Sequence, residues 1–569
     1  MQIQKTDQGL NFLLALGSQP MFDVCNLMKI LLIQPPVEDF YDTDIRLQPL
    51  GLGYLKAALN QRLTGLQVKI LDFHQGWGRQ TVRVPQELSY LKAFYQHDDR
   101  SPFCGFHGYY RFGADKDEIS AAIAKESPDV VAISSLFSPY YREALEVAKV
   151  AKDISPDIRV VVGGSHVSSC PDSILSSAFV DYVIVGEGER AMVELVEHLR
   201  EQRPLSDVSS LGYKESDKFI YNEKKENWDL NLLPFPDFED LPMTNYLFEG
   251  KPLTFLVTSR SCPHRCSFCS VHNTFGFKYR RRCIENILSE IKLRYDQGYR
   301  VIDFEDDNLT FFVKDMKVLC QKLIEMFPNG EIEFLAMNGI SYLSLDSEVM
   351  NLMWAAGFRR LNLALVSSDK SVLESTKRPH TIEKYIDVVS EAKKLGFKVT
   401  SYQILGLPFE SIESMIQTLT FNSCLPVLLG ASSFYMTPNS PVAKTLNYPT
   451  TPENMFKARL TAMAIETENF SRDDIYTLFI TTRIINFIKG LTPVLSQRDQ
   501  SGLRILRHLL DKKELLADTN KGLVVQKRFK VDLFLKVWSN LKGIVNSRGD
   551  AIEVRQYENQ SCQSENISP

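Results

Sequence analysis

The sequence has little cysteine for its length, ten residues in 569. Disulfide-dependent secreted proteins have denser and more regularly spaced cysteines. Seven of the ten are scattered along the chain without such spacing: Cys25, Cys104, Cys170, Cys283, Cys320, Cys424 and Cys562. This usage argues against a disulfide framework and indicates a reducing compartment, so we expect a cytoplasmic protein.

Other features are also missing. No run of about 18 or more apolar residues occurs, so no membrane span is expected. The formal net charge of −5 gives no overall cationic excess, and a nucleic-acid partner is therefore not expected. No repeat of solenoid period is visible. What is present is a hydrophobic content of 44%, enough to fill the cores of several domains.

The first 28 residues lack the features of a signal peptide. Their apolar stretch, LNFLLALGSQPM, is short, has only Lys5 before it and is not followed by a small-residue cleavage site. We expect residues 1–28 to be a flexible extension ahead of MKILLIQPP.

From Lys29 onward, short apolar strands alternate with amphipathic helices. Continuously apolar strands in such a series predict a doubly wound, Rossmann-like α/β domain with a parallel sheet covered on both faces. We place this domain at 29–202. Its strands are expected at 29–34, 67–73, 129–135, 158–164 and 180–189.

The carboxyl ends of these strands carry small residues. Ligands of open parallel sheets bind outside those ends. Small side chains there either let a large flat ligand approach the backbone or simply make tight turns, and the sequence leaves both readings open. The residues concerned are Pro35, Pro36, Ser134, Ser135, Gly163, Gly164, Gly186, Glu187, Gly188 and Glu189.

A second α/β series follows a charged, proline-containing segment at 203–250 that reads as a linker. Six strand–helix units over 251–455 predict a partial (β/α)6, TIM-like barrel, whose chemistry belongs at the carboxyl ends of its strands. The strands are expected at 253–259, 300–305, 331–336, 359–365, 397–405 and 431–436.

Three remaining segments are less regular. Residues 73–115 are rich in aromatic side chains and either cover a ligand or pack as a satellite of the core. Residues 456–547 predict a mostly helical region, and 548–569 a polar, disordered tail.

The remaining three cysteines, Cys262, Cys266 and Cys269, stand within eight positions in RSCPHRCSFCSV, directly after the first barrel strand. Three thiolates do not complete a tetrahedral zinc site, which needs four ligands, although His264 or His272 could add one. Three cysteines can hold a [4Fe–4S] cluster with one iron open to a small molecule. Free redox-sensing thiols are a third reading.

The spacing Cys262-x3-Cys266-x-Phe268-Cys269 after a strand resembles the radical S-adenosylmethionine (SAM) superfamily. The resemblance implies that the open iron binds SAM and that an electron then cleaves SAM to methionine and a 5′-deoxyadenosyl radical. It also implies an external electron donor, such as flavodoxin or ferredoxin, and implies that Phe268 covers one side of the cluster.

The same resemblance suggests SAM contacts at the other strand ends. Glu305, Asp306 and Asp307, in DFEDDN, occupy the place of the turn that receives the SAM amino group, although a solvated turn or helix N-cap is the plainer reading. Val366 stands where relatives often have glutamate, which leaves Ser367 or Ser368 for a polar contact. Gly406 and Pro408, in QILGLPFES, resemble the turn against adenine.

The N-terminal strand ends QPP, ISS, VVGGSH and VGEGE resemble the cobalamin-binding domain that precedes the radical SAM core in one large subfamily. The Asp-x-His-x-x-Gly loop, whose histidine ligates cobalt, is absent after the first strand. We therefore expect a bound cobalamin to have no histidine on its metal. His166 either touches the corrin edge or is an ordinary surface histidine.

A basic run, Lys278, Arg280, Arg281 and Arg282, follows the cysteines. It either attracts an anionic substrate or the SAM carboxylate, or forms a solvated face.

The resemblance implies a radical SAM enzyme with cobalamin, most often one that methylates carbon in a small-molecule or natural-product-like substrate through methylcobalamin. A non-methylating rearrangement, cyclisation or oxidation with the same cofactors is the alternative. An RNA-directed methylthiotransferase would have a second cysteine trio, which the sequence lacks, and a non-enzymatic iron–sulfur or zinc regulatory module would not cleave SAM.

Overall fold

The structure is a computed structural model that describes residues 27–43, 48–225, 227–492, 494–511, 513–514, 516–519 and 522–557. Most of the expected extension at 1–28 lies outside these residues, as does 558–569 of the expected tail. Within 548–557 there are a short strand and one 3₁₀ turn. No helix of the described residues is long and apolar enough to cross a membrane.

The N-terminal domain is a seven-stranded sheet in the order β10-β9-β8-β7-β6-β1-β3, of which β3, β1, β6, β7 and β8 are parallel. The strands of the domain are β1 (Met28–Gln34), β2 (Val37–Asp39), β3 (Leu66–Asp72), β4 (Arg79–Thr81), β5 (Tyr110–Phe112), β6 (Val130–Ser134), β7 (Arg159–Gly163), β8 (Tyr182–Ile184), β9 (Leu211–Glu215) and β10 (Lys218–Tyr221). Three of them, in the order β2-β5-β4, form a separate small antiparallel sheet. The helices of the domain are α1 (Leu50–Arg62), α2 (Lys116–Glu126), α3 (Tyr141–Ile154), α4 (Ser165–Ser169), α5 (Pro171–Leu175) and α6 (Glu189–Leu199).

Alternate side chains of the central strands fill two separate cores. In β6, Val131 and Ile133 enter one core while Val130 and Ala132 enter the other, and all four are buried. This alternation is the period-two geometry of a strand, and it explains why the central strands read as unbroken apolar runs. The predicted doubly wound sheet is confirmed.

The segment expected as a linker, 203–250, is more ordered than the sequence indicated. The antiparallel hairpin β9–β10 extends the sheet at its edge. The strands were missed because both are short and have charged, exposed residues on either side of the hairpin turn, Lys214 and Glu215 in β9 and Lys218 in β10.

The second domain is the expected open barrel. Its strands are β11 (Leu247–Phe248), β12 (Lys251–Leu256), β13 (Ser259–Arg260), β14 (Arg280–Arg281), β15 (Val301–Phe304), β16 (Glu333–Leu335), β17 (Arg360–Val366), β18 (Lys398–Leu405) and β19 (Leu428–Ser433). Its helices are α7 (Val271–Phe275), α8 (Ile284–Asp296), α9 (Val313–Met326), α10 (Ser347–Ala356), α11 (Lys370–Ser375), α12 (Ile382–Leu395), α13 (Ile412–Ser423), α14 (Pro441–Thr445) and α15 (Pro452–Phe456).

The six main barrel strands are parallel. β12, β15 and β16 pair in that order, as do β17, β18 and β19, and single bridges Phe334–Phe358 and Ile340–Leu363 join the two groups. The strand ends therefore lie along one curved rim.

The C-terminal region consists of α16 (Arg472–Gly490), α17 (Gln497–Leu510), α18 (Val531–Asn540) and the hairpins β20 (Leu516–Thr519)–β21 (Gly522–Val525) and β22 (Ile544–Val545)–β23 (Ala551–Ile552). It is mostly helical, as expected, with the hairpins in addition.

The aromatic segment 73–115 packs against this region. The rings of Phe94 and Tyr476 have centroids 5.3 Å apart, and the Tyr95 hydroxyl donates to the carbonyl of Thr461 at 2.7 Å. Of the two readings of 73–115, these contacts favour packing, because they tie the first domain to the end of the chain.

Candidate functional site

A cavity of about 490 Å³ lies between the two domains. The carboxyl ends of the N-terminal sheet form one wall, and those of β12, β15 and β16 form the other. From the first wall come Ser134, Gly163, Gly164, Gly186, Glu187, Gly188 and Glu189; from the second come Phe255, Val257, Asp303, Glu305, Asp307, Met337 and Asn338. Residues predicted separately from two stretches of sequence thus meet at one space.

The N-terminal wall brings backbone close to the cavity at Gly164. This residue has a φ of +113°, and an added Cβ would lie 2.5 Å from the carbonyl oxygen of Ser135. Only glycine fits there without strain. The buried hydroxyl of Ser135 has no hydrogen-bond partner among the described residues, which suits a site completed by a ligand.

Glu187 and Glu189 line the cavity, but their carboxylates are bound by protein. Arg260 donates to both, at 2.6 and 2.5 Å, and Arg280 donates to the second oxygen of Glu187 at 2.5 Å. Asn227 occupies the remaining oxygen of Glu189 at 2.7 Å. Any cofactor contact of this loop is therefore expected from its backbone.

His166 lies behind the cavity wall. Its ring is 1% exposed, Nδ1 lies 3.0 Å from Ser138 Oγ, and Nε2 lies 3.0 Å from Ser173 Oγ. Burial lowers the pKa of His166 to about 4, so the ring is neutral. Both ring nitrogens are engaged inside the domain, so His166 is a buried core histidine. The reading as a surface histidine was wrong, and contact with the corrin edge stays a prediction without support from this geometry.

The cysteine loop is held from several sides. The Ser267 N–H donates to the carbonyl of Thr376 at 2.9 Å, and the Val442 N–H donates to the carbonyl of Ser267 at 2.8 Å. His272 Nε2 lies 2.8 Å from the carbonyl oxygen of Cys262. A loop fixed at both flanks keeps its three sulfurs in a constant arrangement.

Two side chains donate to the sulfurs. Asn308 Nδ2 lies 3.7 Å from Cys262 Sγ, and Arg378 Nη1 lies 3.7 Å from Cys266 Sγ. Asn308 Oδ1, Arg378 Nε and the buried hydroxyl of Ser267 have no partner among the described residues. Donors on sulfur and unpaired polar atoms nearby fit an iron–sulfur cluster held by this loop.

Neither histidine near the loop is placed as a fourth zinc ligand. His272 is bound to the Cys262 carbonyl, and the His264 ring packs against Phe311 and His380, with centroids 6.2 and 5.8 Å away. Burial raises the pKa of Cys269 to about 11, which disfavours free reactive thiolates. The geometry thus fits the cluster better than the two other readings.

The three carboxylates of the acidic turn after β15 have two different surroundings. Asp306 is buried and accepts from the Thr258 N–H at 2.9 Å, the Thr258 hydroxyl at 2.6 Å and the Ser259 hydroxyl. It therefore braces the start of the cysteine loop instead of facing the cavity. Glu305 and Asp307 line the cavity, and Asn338 donates to Glu305 at 2.7 Å.

Asp307 is open to the cavity yet closely surrounded by protein. Burial, with a smaller contribution from Asp306, raises the pKa of Asp307 to about 7, although the Ser261 N–H favours the charged form. Such a carboxyl changes its charge readily near neutral pH and would be held ionised by a ligand cation.

The contacts predicted at the later strands lie away from this cavity. Ser367 Oγ and Ser368 Oγ both lie near Thr418 Oγ1, at 3.1 and 3.2 Å, and are buried. Phe268 packs with a small apolar cluster that includes Val366, a β-branched residue with a φ of +71°. Strained backbone of this kind is concentrated at functional sites.

Gly406 serves packing between domains. Its φ is +84°, and an added Cβ would lie 2.8 Å from Ile475 of α16. Pro408, two residues on, is half-buried. Contacts of Ser367, Gly406, Pro408 and Phe268 with SAM remain predictions.

The basic run is mostly engaged with protein carboxylates. Besides the Arg280 contact, Arg282 donates to Glu290 at 2.6 Å in the core, and Arg281 pairs with Asp315. Arg280 and Arg282 are thus bound inside the protein and are not a solvated face, whereas Arg281 is exposed beside Asp315.

Several site residues escaped the sequence analysis. Asn308 stands in DFEDDN and could have been noticed there. Arg260 adjoins the cysteines, but its carboxylate partners lie 71 and 73 positions away. Arg378 carries no local signal, because it reaches Cys266 only through the fold.

Comparison with known proteins agrees with this geometry. Residues 105–196 match the family model "B12 binding domain", and residues 256–421 match "Radical SAM superfamily". An uncharacterized methyltransferase of Pyrococcus horikoshii is 29% identical over 407 residues, covering 70% of this chain and 79% of that protein. The cytidylyl-2-hydroxyethylphosphonate methyltransferase of Streptomyces wedmorensis is 28% identical, covering 68% and 75%.

Solved structures share the fold. The cobalamin-dependent radical enzyme OxsB, solved with aqua-cobalamin and SAM bound, superposes with a TM-score of 0.61 at 15% identity, covering 91% of this chain and 79% of OxsB. The radical SAM methyltransferase TsrM from Kitasatospora setae gives 0.57 at 16% identity, covering 85% and 99%. The chain is therefore a radical SAM enzyme in which a B12-binding domain precedes the radical SAM domain.

Proposed function

We propose that this enzyme methylates a carbon atom of a small-molecule substrate, with a [4Fe–4S] cluster, SAM and cobalamin. The observation that carries the proposal is the single cavity bounded by the strand ends of both domains. A reaction that uses a radical from one cofactor and a methyl group from another needs both to face one substrate, since reacting atoms must be held close together. The relatives named as methyltransferases support the same reaction.

The residues of the barrel wall would bind the cluster and SAM. Cys262, Cys266 and Cys269 would hold the cluster, which leaves one iron for SAM. Bound there, the cluster would supply the electron that cleaves SAM. Asp307, whose N–H partner Ser261 directly precedes Cys262, would receive the cationic amino group of SAM.

The opposite wall would hold cobalamin. Gly163 and Gly164 bring backbone to the cavity, and Ser135, whose hydroxyl has no partner among the described residues, donates its N–H to the carbonyl of Gly163 at 2.7 Å. On the same wall Leu136 and Phe137 are 38% and 42% exposed although apolar. Apolar side chains exposed in a cavity indicate a ligand that covers them.

The test needs no knowledge of the substrate. Anaerobic enzyme loaded with cobalamin in its fully reduced state is given SAM, and S-adenosylhomocysteine and the cobalamin absorption spectrum are followed. We expect S-adenosylhomocysteine to form together with a change in the cobalamin spectrum. SAM cleavage to 5′-deoxyadenosine without any methyl transfer to cobalamin would contradict methylation and favour a rearrangement, cyclisation or oxidation.

Two cysteine variants control the assignment. Cys266→Ala should abolish 5′-deoxyadenosine formation, with at least about a 100-fold loss, because the cluster lacks a ligand. Cys283→Ala, at an exposed cysteine outside the trio, should leave it unchanged.

A further inference from the structure

Arg260 connects the cysteine loop of one domain with the cavity loop of the other. Its guanidinium donates to Glu187 at 2.6 Å and to Glu189 at 2.5 Å, and it also lies over the ring of Tyr54, 5.2 Å from the centroid. The side chains of Arg260, Glu187 and Glu189 are only 8, 9 and 6% exposed. Ion pairs this deeply buried are rigid, and removing one partner leaves a charge uncompensated.

Arg260, Glu187 and Glu189 lie in or next to the two loops proposed to hold the cofactors. Arg260 ends β13 and lies two positions before Cys262, the first cluster ligand. Glu187 lies in the turn between β8 and α6, and Glu189 is the first residue of α6; both line the cavity at the edge of the N-terminal sheet. The pair therefore joins the two cofactor-bearing loops directly.

Neighbouring residues complete the network and leave no carboxylate oxygen unused. Arg280, on the strand paired with β13, takes the second oxygen of Glu187, and Asn227 takes the second oxygen of Glu189. Burial alone would lower the pKa of Arg260, but Glu189 and Glu187 outweigh it and raise that pKa. The arginine is thus charged, and both of its terminal nitrogens are bound to these carboxylates, which gives it a structural task.

We propose that Arg260 is a positioning residue that fixes the spacing between the cluster loop and the cobalamin-binding edge, and so couples SAM cleavage to methyl transfer from the second cofactor to the substrate. This inference rests on the proposed function for its second half only. The spacing itself is a property of the two loops and can be measured without any product.

The coupling is expected to be sensitive to Arg260. With Arg260→Gln, Glu187 keeps its contact with Arg280 and Glu189 keeps its contact with Asn227. The two loops lose both contacts made by Arg260 and are then tied in this network only through Arg280, and a displacement near 1 Å between reacting groups is enough for a loss on the order of 10- to 100-fold. We expect the rate of 5′-deoxyadenosine formation to stay within about 3-fold of the wild-type rate. The number of methyl groups transferred per 5′-deoxyadenosine formed should fall by about 10-fold or more.

The first readout is structural. Holoenzyme with cob(II)alamin and reduced cluster is studied by electron paramagnetic resonance, in which the magnetic coupling between the two centres reports their separation. We expect Arg260→Gln to broaden the distribution of couplings, and Arg260→Lys, which keeps one charge but lacks the two-pronged geometry, to give an intermediate result. Arg281→Gln is the matched control, since that arginine lies in the same segment but pairs with Asp315.

The second readout is the product ratio, with Glu189→Gln as an independent way to break the tie. If Arg260 acts through Glu189, the double variant should be little worse than either single variant. Unchanged magnetic coupling together with an unchanged product ratio in Arg260→Gln would overturn the inference. If the wild type transfers no methyl group, the proposed function fails, and the magnetic measurement alone then decides the inference.

Discussion

At the scale of single residues, the N-terminal wall of the cavity presents backbone and small side chains to a ligand. The sequence had suggested contacts from larger side chains there. The carboxylates of Glu187 and Glu189 are bound by arginines, and His166 is enclosed by serines. The sequence indicated the right loops because glycine and serine runs at strand ends are local signals. It could not assign side-chain roles, because these depend on partners that only the fold brings near.

His166 gives a prediction for pH. Its pKa is about 4 in the folded protein and 6.5 in its ordinary state, so below pH 6.5 the unfolded chain binds a proton that the folded chain does not. Stability from this residue is therefore complete above pH 6.5 and is lost as the pH falls toward 4, by about 2–3 kcal/mol. We expect His166→Gln to show a shallower acid decline in thermal unfolding than the wild type. Equal slopes would contradict this, and His97→Gln, at an exposed histidine, is the control.

Gly164 gives a second residue-scale prediction with a neighbour as its control. Gly164→Ala should lower the free energy of unfolding by about 1–3 kcal/mol, because the new Cβ meets the Ser135 carbonyl and φ is +113°. In Gly163→Ala the Cβ would be 3.9 Å from the nearest atom, an ordinary contact. Denaturant unfolding checks the difference, and equal losses in both variants would show that the close approach is not the cause.

At the scale of elements, the strand pattern was largely predictable. The five parallel strands of the first domain and the six of the barrel all lie near their predicted positions, because buried parallel strands are continuous apolar runs bounded by turn residues. The strand predicted at 431–436 is instead Leu428–Ser433, three residues earlier. Leu428 is exposed and the strand contains Gly430, so its start has no clear apolar signal.

Asp306 links two of these elements. Its carboxylate at the end of β15 accepts three hydrogen bonds from Thr258 and Ser259, at the start of the cysteine loop. Asp306→Asn replaces one carboxylate oxygen, which accepts these hydrogen bonds, with an amide NH2 group, which can only donate. We expect the free energy of unfolding to fall by about 1–3 kcal/mol and iron to be released faster to a chelator. Asp296→Asn, in an exposed pair with Lys292, should change neither. Iron release at the wild-type rate from Asp306→Asn would show that this brace does not support the loop.

At the scale of the whole molecule, buried polar contacts close the two domains and the C-terminal region around the cavity. Asp39, the last residue of β2, pairs with Arg459 at 3.3 Å and accepts from the Thr461 hydroxyl at 2.6 Å. The two charged side chains are 0 and 1% exposed. They are 420 positions apart, so no sequence pattern could have paired them.

This pair predicts how firmly the C-terminal region is attached. Arg459→Met should destabilise the protein by about 3–5 kcal/mol, because Asp39 is left buried without its counter-charge. Adding Asp39→Asn should cost less than the sum of the two single changes. Thermal unfolding and hydrogen exchange of 456–462 report the effect. Lys536→Met is the control, because Lys536 and Glu413 form an exposed pair that also joins separate elements. It should lower the free energy of unfolding by less than about 1 kcal/mol. A similar loss of stability in Arg459→Met and Lys536→Met would contradict the account.

The most direct test of the whole is the metal content of anaerobic protein prepared with cobalamin supplied. The account predicts about four irons and one cobalt per chain, with the iron lost in Cys262→Ala, Cys266→Ala or Cys269→Ala and the cobalt retained. Zinc in place of iron, or iron that persists without these cysteines, would contradict it.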